Sequence, residues 1–301
     1  MSEIVAGARQ DRPLAGILLM LGAFLCFSFI DAGAKWLAVL SMPPLQLAFM
    51  RYFPHFLIST ALIGRGGGLD FRAFASPYMP LLLLRASMLM ISTVLNFVAV
   101  TYLPLTLTST ILFTTPIIIC ILSWPLLGER VGLFRFGAII IGFAGVAIAI
   151  RPFDESFHWA VFLSLSGAFT FAIYSILTRR LAGLVSTDVM QFYTGAVGTI
   201  GLLPVALYQW QWAPDLMNGI ILVMLGVFGW GGHQIMTGAH RFAPAAVLTP
   251  FGYSFIIYLT IWSYLLFDHV PDRWTVVGAV FIVTSGMLIW LREMRLRAAR
   301  G

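Results

Sequence analysis

Residues 14–35 read LAGILLMLGAFLCFSFIDAGAK, and residues 159–180 read WAVFLSLSGAFTFAIYSILTRR. Each stretch has about the 20 apolar-rich residues that a helix needs to cross the hydrocarbon of a bilayer. Each also carries Gly-Ala-Phe at the same place: Gly22-Ala23-Phe24 in the first, Gly167-Ala168-Phe169 in the second, 145 residues on. The same offset joins Lys35 to Arg180, Ser41 to Ser186 and Gln46 to Gln191. Further along it becomes 140, joining Ala99 and Pro104 to Ala239 and Pro244, and then 141, joining Gly137, Gly145 and Arg151 to Gly278, Gly286 and Arg292. The glycine-rich segment 64–68 has no counterpart and accounts for the lost five residues. One such match is weak, but an ordered set over the same succession of helices marks the second half as a copy of the first.

The rest of the chain is of the same material. Its 301 residues are 60% hydrophobic and only 10% charged, with a mean hydropathy of +0.93. A soluble domain carries roughly a quarter charged residues, so lipid must cover this surface and a single membrane domain over 1–301 is expected. The net charge of +6 does not indicate nucleic acid, because the basic residues are scattered through short loops rather than gathered in a patch. Cys26 and Cys120 lie in apolar stretches without metal-ligand spacing and read as buried free thiols. Residues 1–13 are polar and no small-residue cleavage site follows the first apolar run, so that run reads as a retained helix.

Ten stretches have spanning length: 14–35, 44–63, 78–101, 105–127, 134–150, 158–181, 189–208, 217–239, 245–267 and 274–290. Breakers and charges separate them, among them Gly128-Glu129-Arg130, Arg151-Pro152 and the run Asp268 to Asp272. With the N-terminus inside, cytoplasmic segments collect thirteen of the eighteen Lys and Arg residues and the opposite face three, Lys35, Arg151 and Arg273; Arg51 and Arg85 fall within spans. That bias sets the orientation, with both termini cytoplasmic.

Five is an odd number, so a second five-helix copy enters the membrane from the opposite face. The expected fold is therefore an all-α polytopic membrane protein of ten transmembrane helices in two inverted five-helix repeats, 14–151 and 158–292, related by a pseudo-two-fold axis in the membrane plane. Such halves can exchange conformations around a midplane site, which is alternating access.

Particular residues carry a resemblance as well. Lys35 after the first helix, Arg51 in the second, Tyr102-Leu103-Pro104 before the fourth and Gly128-Glu129-Arg130 after it resemble the drug/metabolite transporter superfamily and, within it, the EamA-type transporters, over about residues 12–292. In the second half Asp268-His269 stands where the family has Gly-Glu. The resemblance implies a basket-like bundle around a central cavity and the export or import of small metabolites. Overall likeness within the superfamily points to its aromatic amino-acid exporters. The expected function is thus a secondary transporter of small amphipathic metabolites, foremost aromatic or other hydrophobic amino acids, with export of another metabolite or drug as the alternative. Its partners are a small-molecule substrate and the lipid bilayer, its functional unit a monomer, its place the bacterial inner membrane, and it needs no cofactor and no metal.

The eighth span holds the clearest constellation. Trp230, His233, Gln234 and Thr237 stand at i, i+3, i+4 and i+7 on one helical face, and polar side chains in a span usually face the bundle interior. Hydrogen-bonding groups beside an indole suit a zwitterion with a bulky side chain; the alternative is hydrogen bonding between helices. At offset 140 this face maps onto Met90, Thr93, Val94 and Phe97, with Asn96 adjacent. Tyr174, Tyr253 and Tyr258 join Trp230, His233, Gln234, Thr93 and Asn96 as candidate substrate-binding residues, against packing or interfacial anchoring. Gly226, Gly229, Gly231 and Gly232 lead into His233 and signal close helix packing or local unwinding. Pro104, Pro116, Pro244 and Pro250 cluster in the fourth and ninth spans, where freed carbonyls permit kinks; these spans are the expected gates, or else carry static kinks.

Arg51 and Arg85 lie about ten ångströms into their spans, where they either snorkel to the interface or clamp a carboxylate. Asp31 and Lys35, four apart near the outer end of the first helix, are expected to pair with each other. No other carboxylate lies deep in a span, whereas ion-driven carriers commonly embed one, so uncoupled facilitated transport or exchange is expected. The chain has no His-Glu-x-x-His, Gly-x-Ser-x-Gly or Walker pattern to suggest an integral-membrane enzyme. A channel, the other class, typically builds its pore by oligomer symmetry or a loop filter.

Overall fold

The structure, a computed structural model, describes residues 12–65, 77–127, 133–151, 157–181, 184–243 and 248–298. Gly66-Gly67-Gly68, Gly128-Glu129-Arg130, Pro152 and Pro244 lie outside these residues, as do the side chains of Cys120 and Pro250. Ten helical spans succeed one another. They are α1 (Pro13–Val39), α2 (Pro44–Arg65), α3 (Met79–Tyr102), α4 in two pieces, α4a (Leu105–Leu112) and α4b (Thr115–Leu127), and α5 (Leu133–Ile150). The second half has α6 (Val161–Leu181), α7 (Thr187–Tyr208), α8 (Leu216–Phe242), a 3-10 turn (Thr249–Tyr253) leading into α9 (Ser254–Phe267), and α10 (Arg273–Ala298).

The helix starts follow from local chemistry. Prolines, which give up no needed N–H in a first turn, open α1, α2 and α3. Carboxylates cap α8 and α10: Asp215 accepts from Asn218 N at 2.9 Å, and Asp272 accepts from Trp274 N at 2.8 Å and Thr275 N at 3.0 Å. Six of the helices are by themselves long and apolar enough to cross a membrane. The α2 span is less apolar because it carries Gln46, Arg51 and His55, and it turns Gln46 and His55 into the protein, where both are buried. Leu18, Phe143, Phe162, Ile200 and Val280 face outward, an apolar exterior that only lipid can cover.

Packing repeats across the halves. α1 lies along α8 and, symmetrically, α6 along α3; α2 meets its mate α7, and α5 its mate α10. In the last pair the backbones nearly touch: a Cβ on Gly278 would stand 2.6 Å from Gly145 O, and one on Gly145 would stand 2.8 Å from Gly278 O. This reciprocity is what an inverted pair of five-helix units produces. The result is a basket of ten spans around a central cavity.

The fourth and ninth spans are interrupted at matching points. Pro116 has no N–H to give Leu112 O, its partner four residues back, and the Thr115 hydroxyl donates to that carbonyl instead, at 2.6 Å. The chain turns at Phe113-Thr114. In the second half the tight 3-10 turn carries Pro250 and ends at Tyr253, 140 residues beyond Phe113. The two rings meet at 5.2 Å between centroids. Two residues related by the repeat offset can touch only if both lie beside the pseudo-two-fold axis.

Of the four glycines before His233, Gly226 and Gly232 serve close packing, whereas a Cβ on Gly231 would meet nothing within 4 Å. The helix runs unbroken through them; a Cβ on Gly226 would lie 2.8 Å from Met50 O, and one on Gly232 would lie 2.6 Å from the Phe27 ring. Cys26 is a free thiol but half-buried, short of the full burial expected.

Candidate functional site

The basket encloses a cavity of about 470 Å³ between the two halves. Of the residues singled out in the sequence, Thr93 and Asn96 on α3, Pro116 on α4b, Tyr174 on α6, His233 on α8 and Tyr253 in the 3-10 turn line it together. Trp230, Gln234, Tyr258 and Pro104 do not. One helical face proved too wide a criterion. Phe27 packs on Gly232 and against the His233 imidazole, with ring centroids 5.0 Å apart, which brings His233 inward. Gln234, one residue on and about 100° round the helix, reaches instead towards Asp188 of α7 at 3.5 Å. Thr237 turns its hydroxyl back on His233 O at 2.9 Å, and Pro104 stands at the N-cap of α4a, its carbonyl accepting from Leu107 N and Thr108 N.

Two charges stand on the wall: Asp31, expected to pair with Lys35, and Arg51, expected either to snorkel or to clamp a carboxylate. Asp31 and Lys35 do not pair: Lys35 Nζ donates to Leu103 O at 3.1 Å, closing the end of α3, while Asp31 Oδ1 accepts from Asn96 Nδ2 at 3.2 Å and lines the cavity. Arg51 does not snorkel either. Its Nη1 donates to Thr93 Oγ1 at 3.0 Å and the guanidinium lies 5.0 Å from the Tyr52 ring centre, on the cavity wall. The usable signal was their presence inside a span, where a charge is costly and usually turned to the interior.

Hydrogen-bond directions along this wall can be assigned. Tyr52 is fully buried and gives its single hydroxyl proton to Leu89 O at 3.0 Å. The 2.7 Å contact between Tyr52 and Thr93 therefore has Thr93 as donor. Thr93 accepts from Arg51 and donates to Tyr52, which leaves it no proton for a ligand. Thr93 thus holds Arg51 in place.

Arg85, two turns before Thr93 on α3, is buried and has no carboxylate partner among the described residues. Its Nε donates to Thr178 Oγ1 at 2.7 Å, Nη1 to Thr194 Oγ1 at 2.9 Å and Met190 O at 3.2 Å, and Nη2 to the Tyr174 hydroxyl at 3.0 Å. It also stacks 4.6 Å from the Tyr174 ring centre. Because Tyr174 accepts from a cation, its own O–H is left to donate into the cavity.

The remaining surface is largely aromatic. Phe24, Phe27, Phe97, Phe113, Phe171 and Phe255 line the cavity beside Tyr253, and nothing in the order of the 25 phenylalanines marks which of them gather there. Among the described residues no three His, Cys, Asp or Glu side chains come together as metal ligands.

Comparison with known proteins agrees with this architecture. The family model described as EamA-like transporter family matches twice, at residues 14–151 and 158–291. Among curated relatives, the riboflavin transporter of Rhizobium johnstonii is 24% identical over 98% of this chain and 97% of its own length. The pseudopaline exporter CntI of Pseudomonas aeruginosa is 27% identical over 91% and 95%, and the S-adenosylmethionine uptake transporter of Rickettsia felis 25% over 94% of each. A solved crystal structure superposes with a TM-score of 0.64 at 18% identity, covering 94% of this chain and 99% of that one, a likeness that shows the fold alone. The relatives divide among three cargoes and both directions of transport, so what they share is the carrier. With one family model matched to each half, the chain belongs to the EamA-like transporter family of the drug/metabolite transporter superfamily.

Proposed function

We propose that this membrane protein carries small amphipathic metabolites, foremost aromatic or other hydrophobic amino acids, by alternating access across the bacterial inner membrane. It works as a monomer with both termini in the cytoplasm, in the manner of the aromatic amino-acid exporters it resembles. The observation that carries this reading is the make-up of the cavity. Rings of Phe27, Phe97, Phe113 and Tyr253 surround a space of about 470 Å³ whose surface is mostly apolar, with Asp31, Arg51, Asn96 and Tyr174 among its polar groups. Apolar walls with a small number of placed polar groups bind a ligand with one apolar and one polar end. A sugar or nucleotide would need many more hydrogen-bonding groups. S-adenosylmethionine, the cargo of one set of relatives, is itself an amino acid joined to an aromatic base.

Facilitated transport or exchange, without an ion gradient, suits the electrostatics. Among the described residues Asp31 is the one carboxylate lining the cavity, and it shares that lining with Arg51. The empty carrier therefore already holds compensated charge and needs no bound cation to reorient. Pro116 and Pro250 sit in the interrupted fourth and ninth spans, which we take as the moving gates.

The test is counterflow in liposomes loaded with single amino acids. Saturable exchange of a labelled aromatic amino acid, without single-channel currents, is expected. Exchange of riboflavin or another metabolite but no amino acid overturns the cargo assignment. Accumulation only under an imposed proton gradient overturns the uncoupled cycle.

A further inference from the structure

Asp31 and Arg51 carry opposite charges on one cavity wall and are not paired. No nitrogen of Arg51 lies within 4 Å of an Asp31 oxygen; among the described residues the ion pair of that kind is Arg151 with Asp272, outside the cavity. In a low-dielectric site such charges attract strongly, so something holds them apart. That something is α3. Its Thr93 takes Arg51 and its Asn96, three residues on, takes Asp31, and residues three apart are neighbours on a helix surface.

Each charge keeps unused valence facing the cavity. Arg51 has five N–H donors and gives one to Thr93. Asp31 accepts one bond at Oδ1, from Asn96, and Oδ2 takes none while staying in reach of the cavity. The Tyr174 O–H, with Arg85 donating to its oxygen, adds a further donor on the cavity lining. Next to the charges stand rings: Phe24 and Phe27 lie seven and four residues before Asp31 on the same face of α1, and Phe97 follows Asn96.

We infer that Asp31 and Arg51 form a dipolar clamp that reads the α-ammonium and the α-carboxylate of the cargo, with Tyr174 as second donor to the carboxylate and the phenylalanine rings receiving the side chain. The inference rests on the amino-acid reading above and deepens it. A zwitterion bridges the two separated charges and satisfies both, which neither an amine nor an acid alone can do. Leaving one charged wall group unpaired on binding is heavily penalised, so the clamp rejects cargo that lacks either half of the head group.

The experiment uses the full-length protein in liposomes, with labelled L-phenylalanine counterflow and two competitors: 3-phenylpropionate, which lacks the ammonium, and phenethylamine, which lacks the carboxylate. Wild type is expected to prefer L-phenylalanine over each by roughly tenfold or more. Asp31→Asn should lose the preference over 3-phenylpropionate and keep that over phenethylamine; Arg51→Gln should do the reverse. Asp31→Glu and Arg51→Lys keep each charge but change its reach or geometry, and each should weaken only its own contrast, which covers the case of a misfolded neutral variant. Folded variants that discriminate against both analogues as wild type does overturn the clamp and leave the amino-acid assignment standing. Absence of any amino-acid exchange by wild type overturns that assignment, and the clamp with it.

Discussion

Tyr253 borders the cavity with its ring against Phe113, and its hydroxyl rests over the α-carbon of Gly286 on α10. A methyl group at 286 would overlap that oxygen and stand 3.3 Å from the ring carbon bearing it. Gly286→Ala therefore evicts the hydroxyl, and with Phe113 beside the ring the phenol must swing into the cavity. Overpacking of this kind costs about 1–3 kcal/mol. Charged against the state with a bulky cargo in place, that is a ~5- to 150-fold weaker half-saturation, at 1.4 kcal/mol for each factor of ten. Cargo that leaves the ring room to move escapes the penalty. Competition constants of tryptophan and alanine, measured in the same counterflow preparation, should therefore separate, tryptophan losing affinity and alanine keeping its own. Tyr253→Phe removes the clashing oxygen, so Gly286→Ala with Tyr253→Phe should recover most of the loss, a coupling of about 1 kcal/mol or more between contacting residues. Equal losses for tryptophan and alanine, or no recovery in the double variant, would refute the assignment of cavity size to this contact.

Three further outcomes follow, two from contacts around the cavity and one from the loop before α10. Arg85→Lys should lower thermal stability in detergent by about 1–3 kcal/mol, since one ammonium cannot replace a fork that reaches Thr178, Thr194, Met190 O and Tyr174 at once. Gly198→Ala places a Cβ inside the Tyr52 ring's space; Tyr52 is fully buried and tied to Leu89 O and Thr93, so about 1–3 kcal/mol should be lost and transport should fall with it. Asp272, in the loop before α10, is raised by its partial burial but lowered further by hydrogen bonds from Thr275 and Trp274 and by Arg151 at 3.6 Å, leaving it below the ordinary carboxylate value. A depressed carboxyl stabilises above its unfolded pKa of about 3.9 and ceases to as pH falls through the folded value. Asp272→Asn should thus lower the melting temperature slightly at pH 7 and leave it unchanged once the pH is below the folded value, the effect being small for so exposed a pair.

Much of the fold was legible because membrane helices announce themselves by length, apolarity and charge bias, and because the duplication left Gly, Pro and Gln markers at constant offsets. The site was legible only in part. Periodicity placed His233 and Gln234 on one side of α8, but whether a side chain meets the cavity or a neighbour depends on how α1 and α7 pack against that helix. The Phe27–Gly232 contact and the Asp188–Gln234 contact are tertiary facts that no single helix encodes. Asp31 was misassigned for the same reason. Four-residue spacing makes Asp31 and Lys35 neighbours, yet the free end of α3 at Leu103 and the amide of Asn96 are better partners. Arg51 and Arg85 were visible as charges inside spans, and only the structure distinguishes them: Arg51 meets the cavity directly, while Arg85 acts through Tyr174 and Thr178.

The duplicated scaffold and the unduplicated charges divide the work. At the repeat offsets Asp31, Arg51 and Arg85 face Ile176, Ala196 and Leu225 in the second half, so every cation and carboxylate of the site belongs to the first. The second half supplies His233, Tyr174 and Tyr253, which shape the space. Symmetric helices allow the halves to exchange conformations with little cost in packing, because each arrangement reuses the contacts of the other. Charges cannot be so exchanged. Asp31 and Arg51 are both tied to α3, through Asn96 and Thr93, so α1, α2 and α3 carry these charges as one group. On the clamp proposed above, a head group bound there stays with those three helices, and the interrupted fourth and ninth spans move past the cargo's apolar end. The Phe113–Tyr253 contact beside the axis joins equivalent points of those two spans at the cavity wall. A carrier so built would hold its cargo by the head group and select among cargoes by the walls that move.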